Sequence, residues 1–365
     1  MSYFSVDVFK IENMVKHSNA DTLSIIETFG CPVIVRTQDF AVGDMAIYIP
    51  VESLIPEDKE WVKTHCGHLK FKNGVHRVKA VRLRGVFSMG MVVPISALGP
   101  GPTPGHGPYG TDVSQILGIT KYEEPEDRIH VQEPPKPKTL WGRFKKWLKH
   151  LLGIKPPKPT PRVMPVYEVD HYRKLKSVLE LNEPVIITEK VHGTNFAACY
   201  YNNKFIVSSH RVVRNTPDDS FYWRAARQYD LENKLKAYPE LAFFGEIYGP
   251  QVQDMGYGLK DGEIKLAFFD IMHINNRQFL NYDDKMKILN DLGLDSVPLI
   301  YRGPYVPETV EPLVEGPSLI PGANHNREGF VIQPELERIN PRCGRIKLKF
   351  VSEWYMLRKG GTERH

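Results

Sequence analysis

Apolar and polar positions alternate in short runs over the first hundred residues. Pro32-Val33-Ile34-Val35, Met45-Ala46-Ile47-Tyr48-Ile49-Pro50, Arg77-Val78-Lys79-Ala80-Val81-Arg82-Leu83 and Gly90-Met91-Val92-Val93-Pro94 are β-rich segments separated by glycines and charged turns. That pattern predicts a small antiparallel barrel. After it the chain changes character. Gly99-Pro100-Gly101-Pro102-Thr103-Pro104-Gly105 is a flexible break, and Pro134-Pro135-Lys136-Pro137 and Lys155-Pro156-Pro157-Lys158-Pro159 are stiff spacers. Between the proline clusters a helix is predicted over 139–152, with Leu140, Trp141, Phe144, Trp147, Leu148, Leu151 and Leu152 on one face and Arg143, Lys145, Lys146, Lys149 and His150 on the other. A basic amphipathic helix suits a membrane surface, a nucleic acid or its own protein, and docking on the protein is favoured. Further on, strand patterns mix with helices predicted from Tyr167 to Glu180, Asp219 to Leu235 and Asp283 to Leu292. The chain therefore reads as α+β, with a barrel domain over 1–98, a linker over 99–161 and a second domain over 162–365.

Composition narrows the class. A chain of 365 residues suits two domains, and 41% hydrophobic with 25% charged residues is ordinary for a globular protein. No apolar run is long enough to cross a bilayer, and Met1-Ser2-Tyr3-Phe4-Ser5-Val6-Asp7 lacks the basic-then-apolar form of a secretory signal. Cys31, Cys66, Cys199 and Cys343 lie far apart without CxxC spacing, which argues against a disulfide framework or a zinc ribbon and for an intracellular location. His65, Cys66 and His68 cluster without a fourth ligand, the sign of an ordinary turn. A net charge of +5 permits a polyanionic partner without requiring one.

The chemistry gathers around Thr188-Glu189-Lys190-Val191-His192-Gly193-Thr194-Asn195, where a lysine is lodged between the apolar strand Val185-Ile186-Ile187 and a glycine turn. Burial and nearby positive charge depress an amine's pKa, and a depressed amine is a nucleophile. The competing reading is a lysine that ends a strand and points to water. Downstream, charged residues alternate with apolar ones at strand ends: Arg211 after Ile206-Val207-Ser208, Glu246 in Leu241-Ala242-Phe243-Phe244-Gly245-Glu246, Phe268 and Phe269 in Lys265-Leu266-Ala267-Phe268-Phe269-Asp270, Glu328 ahead of Gly329-Phe330, and Lys347 with Lys349 in Arg345-Ile346-Lys347-Leu348-Lys349. Lysines two apart on a strand share a face.

In order and content these segments resemble the nucleotidyltransferase motifs of polynucleotide ligases and messenger-RNA capping enzymes. The nucleophile motif is normally Lys-x-Asp-Gly, and the form Glu189-Lys190-Val191-His192-Gly193-Thr194-Asn195 resembles the RNA-repair ligases of phages and trypanosome mitochondria. Lys16-His17-Ser18-Asn19-Ala20-Asp21-Thr22-Leu23 and Val42-Gly43-Asp44-Met45 resemble the opening of OB-fold domains, and an OB-like domain ahead of the catalytic one is the order of Deinococcus-type RNA ligases. The resemblance implies an ATP-dependent RNA ligase that joins 3′-hydroxyl and 5′-phosphate ends, nicks in a duplex foremost, and acts as a monomer. Lys190 would carry AMP, and Lys347 and Lys349 would hold the α-phosphate. Asn195 and Glu246 would take the ribose, and Arg211 the ribose or a nucleic-acid phosphate. Phe268 or Phe269 would stack on adenine, with Glu189 and the backbone of Val191 reading its edge. Glu328 would organise Mg²⁺ or Mn²⁺ through water, with His192 nearby. Arg36, Arg77, Lys79, Arg82 and Arg84 are candidate phosphate contacts on the OB-like domain. A DNA ligase or capping guanylyltransferase is disfavoured by domain order and by His192, and a nucleic-acid-binding protein with a silent catalytic domain by the intact charged set.

Overall fold

The alternation in the first hundred residues folds into several short antiparallel sheets. A computed structural model describes residues 4–99, 110–122, 163–214 and 217–358; the basic helix predicted at 139–152 lies outside the described residues. Asp7–Lys10 and Met91–Pro94 flank Met45–Ile49 in one sheet, and Met14–Lys16, Leu23–Thr28 and Cys31–Arg36 form a second. A third joins Thr120–Lys121, Ser53–Pro56 and Val75–Arg77. Ile47 and Ile49, two apart and so on one face, pack with Val8, Ile55 and Val93. Val113, Leu117 and Ile119 join the same cluster. The backbone N–H of Val8 donates to the Thr111 carbonyl (3.0 Å), and that of Tyr122 to Glu52 (2.7 Å). Residues 110–122 thus belong to the barrel domain, beyond the expected boundary at 98.

The second domain is built on two sheets. One has the order Asp170–His171, Leu348–Val351, Gly329–Pro334, Pro184–Glu189, Leu299–Pro304; the other is Lys204–Ser208, Thr194–Tyr201, Leu241–Tyr248, Lys265–His273. In the first, Val185, Ile187, Phe330, Ile332, Leu348 and Phe350 bury one face against Tyr172 and Val310. Thr188 lies opposite Val331, which lies opposite Lys349, so these three occupy the other face. In the second sheet Asn195 and Glu246 are direct cross-strand partners.

Two predicted helices differ from those observed. The segment from Tyr167 is helical only over Tyr172–Leu175, continued by a 3₁₀ turn at Lys176–Val178. Tyr167 itself is pinned away, its hydroxyl donating to Asp270 and its ring packed with Phe244 and Met272. The Asp219 to Leu235 stretch breaks into Phe221–Gln228 and Leu231–Leu235, because Asp230 adopts a left-handed φ of 49° that a helix does not tolerate. The third helix runs Tyr282–Asp291, one residue earlier than predicted.

The domains meet through Lys174 on Asp7 (2.8 Å), Arg173 on the Gly30 carbonyl (3.1 Å) and Arg82 on Glu353 (3.3 Å). Just after Lys190, Gly193 presses on the strand that bears Glu246: a Cβ there would lie 2.1 Å from the Ile247 carbonyl oxygen. Gly193→Ala is therefore expected to cost about 1–3 kcal/mol by overpacking. A thermal scan reads this as a clear drop in Tm, and an unchanged Tm would contradict the close approach.

Candidate active site

Lys190 leaves the end of the Pro184–Glu189 strand with its backbone N–H on the Gly329 carbonyl (3.0 Å). This fixes the start of its side chain beside Glu328. Its Nζ donates to Glu328 Oε1 at 2.7 Å, with the lysine side chain 15% exposed and the glutamate fully buried. Gly329 makes the closeness possible, since a Cβ there would lie 2.0 Å from the carbonyl oxygen of Phe350. The glycine is required by the close approach of the neighbouring strand.

The second oxygen of Glu328 is buried without a hydrogen-bond partner. Such an atom costs free energy unless something fills the place. A hydrated divalent cation fits it, because hard cations take carboxylate and water oxygens. Among the described residues no group of three His, Cys, Asp or Glu side chains could hold an ion by itself, so most of its ligands would be water and phosphate.

His192 is not placed as a metal ligand. Both ring nitrogens are engaged: Nδ1 with the Tyr355 hydroxyl (3.0 Å) and Nε2 with Asp254 Oδ1 (2.8 Å). Its backbone N–H donates to the Tyr257 hydroxyl at 2.6 Å. Asp254 only accepts, and its 2.8 Å bond is shorter than the 3.3 Å contact of the Arg358 guanidinium with the same nitrogen, so the proton falls on Nε2 and Nδ1 accepts from the tyrosine. Burial pushes the imidazole pKa down, against the hydrogen bond to Asp254 and the charge of Glu328. The His192 hydrogen bond, and then Arg358, hold the Asp254 carboxyl well below the usual carboxylate range. Nδ1 lies 3.7 Å from Glu328 Oε2, so a neutral, oriented imidazole forms the back of the Lys190–Glu328 pair.

The two candidate aromatics separate. Phe268 is fully buried with Phe196 and Phe243 in the core behind the second sheet, which takes it out of reach of a nucleotide. Phe269, next along the strand and so on its opposite face, lies 4.8 Å from Tyr167 and 5.7 Å from Lys347 Nζ, and the register shift opposite Phe244 and Gly245 sets Asp270 on that same side. Of the two it is the one left partly exposed.

Lys347 precedes the Leu348–Val351 strand and turns into a buried ionic cluster, with Nζ on Asp270 Oδ2 (2.8 Å) and the Phe269 carbonyl (3.3 Å). Burial lowers its pKa while Asp270 opposes. Burial would raise the Asp270 carboxyl, but Arg345 and Lys347 overcome it and hold it well below its usual range. Lys349, buried, faces the barrel domain beside Lys121, His171 and Lys174.

Glu189 departs from its expected part. Its carboxylate accepts from the Ser318 hydroxyl and the Leu319 N–H, both at 2.6 Å, and so ties down the following loop where adenine contact was expected. Burial pushes its carboxyl up, against those two bonds. Val191 is buried and contributes side-chain packing; Asn195 and Glu246 stand half-buried side by side; Arg211 is exposed. On the barrel domain Arg77 is taken up internally by Glu52 and lies 3.7 Å over the Tyr122 ring. Arg84 closes a turn onto Asn19, and Arg82 pairs with Glu353. Arg36 and Lys79 remain exposed. Sequence reasoning missed Asp254, Tyr257, Tyr355, Arg358 and the buried Lys285. Only Lys285 left a signal, an inward spacing shared with Tyr282 and Leu289.

A barrel domain ahead of two sheets, with Lys190 and Glu328 paired at the mouth between them, is the architecture of an OB-fold domain joined to a ligase domain. Residues 5–95 match an OB-fold domain family, and residues 183–351 match the RNA ligase family. The matched part of the second domain is thus an RNA ligase domain, and the barrel ahead of it an OB-fold domain. No curated protein matches it in sequence. Among solved structures it is similar to the Naegleria gruberi RNA ligase with PPi, at 21% identity and TM-score 0.76 over 96% of this chain and 97% of that one. A mutant of that ligase with ATP and Mn matches at 20% identity and TM-score 0.77 over 96% and 98%. Another with AMP and Mn matches at 21% and 0.77 over 96% and 97%. At these identities the likeness establishes the fold. No helix among the described residues is long and apolar enough to cross a membrane.

Proposed function

We propose that this chain is an ATP-dependent RNA ligase that joins 3′-hydroxyl and 5′-phosphate ends, nicks in duplexes foremost, through AMP carried on Lys190. The observation that carries the reading is the pair of Lys190 with Glu328 at 2.7 Å, whose second oxygen is buried and unpartnered. The ATP-, AMP- and Mn-bound forms of the Naegleria ligase support the same choice of nucleotide and ion.

In this reading Lys190 Nζ, once deprotonated, attacks the α-phosphorus; the N–P bond forms and pyrophosphate leaves. Glu328 Oε1 is the group within reach of the amine's proton. Lys347 and Lys349 offset negative charge on the α-phosphate. Phe269 stacks on adenine, and Asn195 and Glu246 face the ribose. AMP then passes from Lys190 to the 5′-phosphate, and the 3′-hydroxyl displaces it as the strand closes. A divalent cation held through water by Glu328 would supply neutralisation of phosphate charge. Arg36 and Lys79 are exposed cations offered to the nucleic acid, and Arg211 takes the ribose or a nucleic-acid phosphate. The enzyme acts as a monomer inside the cell.

Incubation with labelled ATP, GTP or NAD and Mn²⁺, followed by nicked duplexes carrying RNA or DNA on each side of the break, tests this. Covalent label from ATP alone and sealing that needs RNA at the nick are expected. Label from GTP or NAD, or sealing of all-DNA nicks alone, overturns it.

A further inference from the structure

The inward face of the Tyr282–Asp291 helix is Tyr282, Lys285 and Leu289, and the lysine is as buried as the other two, at 2% exposure. A lysine in that position is costly unless its charge is used. Lys285 Nζ donates to the Phe269 carbonyl at 3.1 Å, the same oxygen that receives Lys347 at 3.3 Å. Two ammonium groups from different elements converge on one carbonyl, that of the partly exposed aromatic residue.

The surrounding charges do not balance. Asp270 on the second sheet is engaged by both guanidinium nitrogens of Arg345 (2.6 and 3.0 Å) and by Lys347 (2.8 Å). Glu337, beyond the Gly329–Pro334 strand, is engaged by Arg345 Nε at 2.7 Å. Among the described residues, Lys285, Arg345 and Lys347 thus stand against two carboxylates, with the Tyr282 ring 4.7 Å from the lysine on its own helix. Burial, and then Lys347, push the Lys285 pKa down to about 7. One cation is left unmatched beside the lysine expected to grip phosphate. An incoming anion supplies the missing charge.

We propose that Lys285 is a positioning residue for the nucleotide's α-phosphate: it supplies the unmatched positive charge of this cluster and keeps hold of the Phe269 carbonyl when Lys347 turns to the phosphate. The inference rests on the adenylyltransferase reading of the site. Binding of ATP draws a proton onto Lys285 wherever the free protein holds it neutral. Affinity is then level below about pH 7 and falls as pH rises above it, by at most about tenfold per pH unit for one linked proton.

The test uses Lys190→Ala protein, in which binding is not followed by transfer, titrated with ATP and Mn²⁺ by calorimetry at about pH 8 in two buffers of different ionisation heat. Adding Lys285→Met is expected to reduce proton uptake by a large part of one proton. The fold is kept because an apolar group of similar shape replaces a buried charge. Lys285→Arg, charged at every pH used, should bind ATP with an affinity that no longer falls between pH 7 and pH 9. If Lys285→Met does not fold, the arginine variant decides. Equal proton uptake with and without Lys285, or parental pH dependence in the arginine variant, overturns the assignment while leaving the Lys190 reading intact. A wild-type chain that takes no label from ATP overturns both.

Discussion

Lys190→Ala is expected to take no AMP from ATP and to seal no nick, yet to close a nick whose 5′-phosphate already carries AMP. Only the first two chemical steps need an amine that forms and breaks an N–P bond; the last is an attack by the 3′-hydroxyl on an activated phosphate. Lys190 is the only described lysine paired with Glu328, and its backbone N–H on Gly329 sets it there independently of the side chain. Removal of the side chain therefore leaves Phe269 and the ionic cluster at Lys347 in place. Loss of a covalent nucleophile abolishes its route outright, whereas loss of one stabilising donor costs about 100- to 1,000-fold. Lys190→Arg should fail equally at the first step, since a guanidinium keeps its proton and cannot attack. The measurements are gel-resolved label on the protein and sealing of a synthetic pre-adenylylated nick. Label that survives in Lys190→Ala, or loss of sealing on the pre-adenylylated nick equal to that on the plain one, would refute the assignment.

Much of this site was legible because it is local. The strand, lysine and glycine turn around Lys190 fall within a dozen residues, and Glu328-Gly329 and Lys347-Leu348-Lys349 each carry their own pattern. What was not legible depends on packing between distant segments. Asp254 reaches His192 across 62 residues and Tyr355 reaches it across 163, and no periodicity records either pairing. Choosing between Phe268 and Phe269 needed to know which face of their strand packs into the core and which turns toward Lys347, and packing between distant elements decides that. Arg77 looked like its basic neighbours until the fold set Glu52 and Tyr122 against it. Resemblance alone assigns Glu189 to the adenine edge. The loop at Ser318 and Leu319 claims it from the other side, and only tertiary structure brings that loop there.

Glu328→Ala is the second large effect, because one buried carboxylate holds Lys190 with one oxygen and leaves the other for the proposed cation. Oε1 orients the Lys190 amine at 2.7 Å, while Oε2 has no partner and stands 3.7 Å from the neutral face of His192. A buried acceptor left empty costs about 1–3 kcal/mol, so a group that fills it is bound more tightly for that reason. The alanine variant loses both the orientation and the seat. Covalent adenylylation should fall by about 100- to 1,000-fold, the scale of one lost electrostatic stabiliser. The Mn²⁺ concentration for half-maximal labelling should rise as well, which loss of orientation alone does not produce. Glu328→Gln separates the two roles, since its amide keeps one oxygen near Lys190 but removes the negative charge a cation needs. It should retain more activity than alanine at saturating Mn²⁺ while its metal midpoint shifts as far. A binding readout follows without catalysis: Mn²⁺ raises the Tm of the wild type by preferential binding to the folded state, and both variants should lose most of that increment. Variants whose Mn²⁺-dependent Tm shift and labelling midpoint match the wild type would place the cation elsewhere and leave Oε2 as an unfilled acceptor.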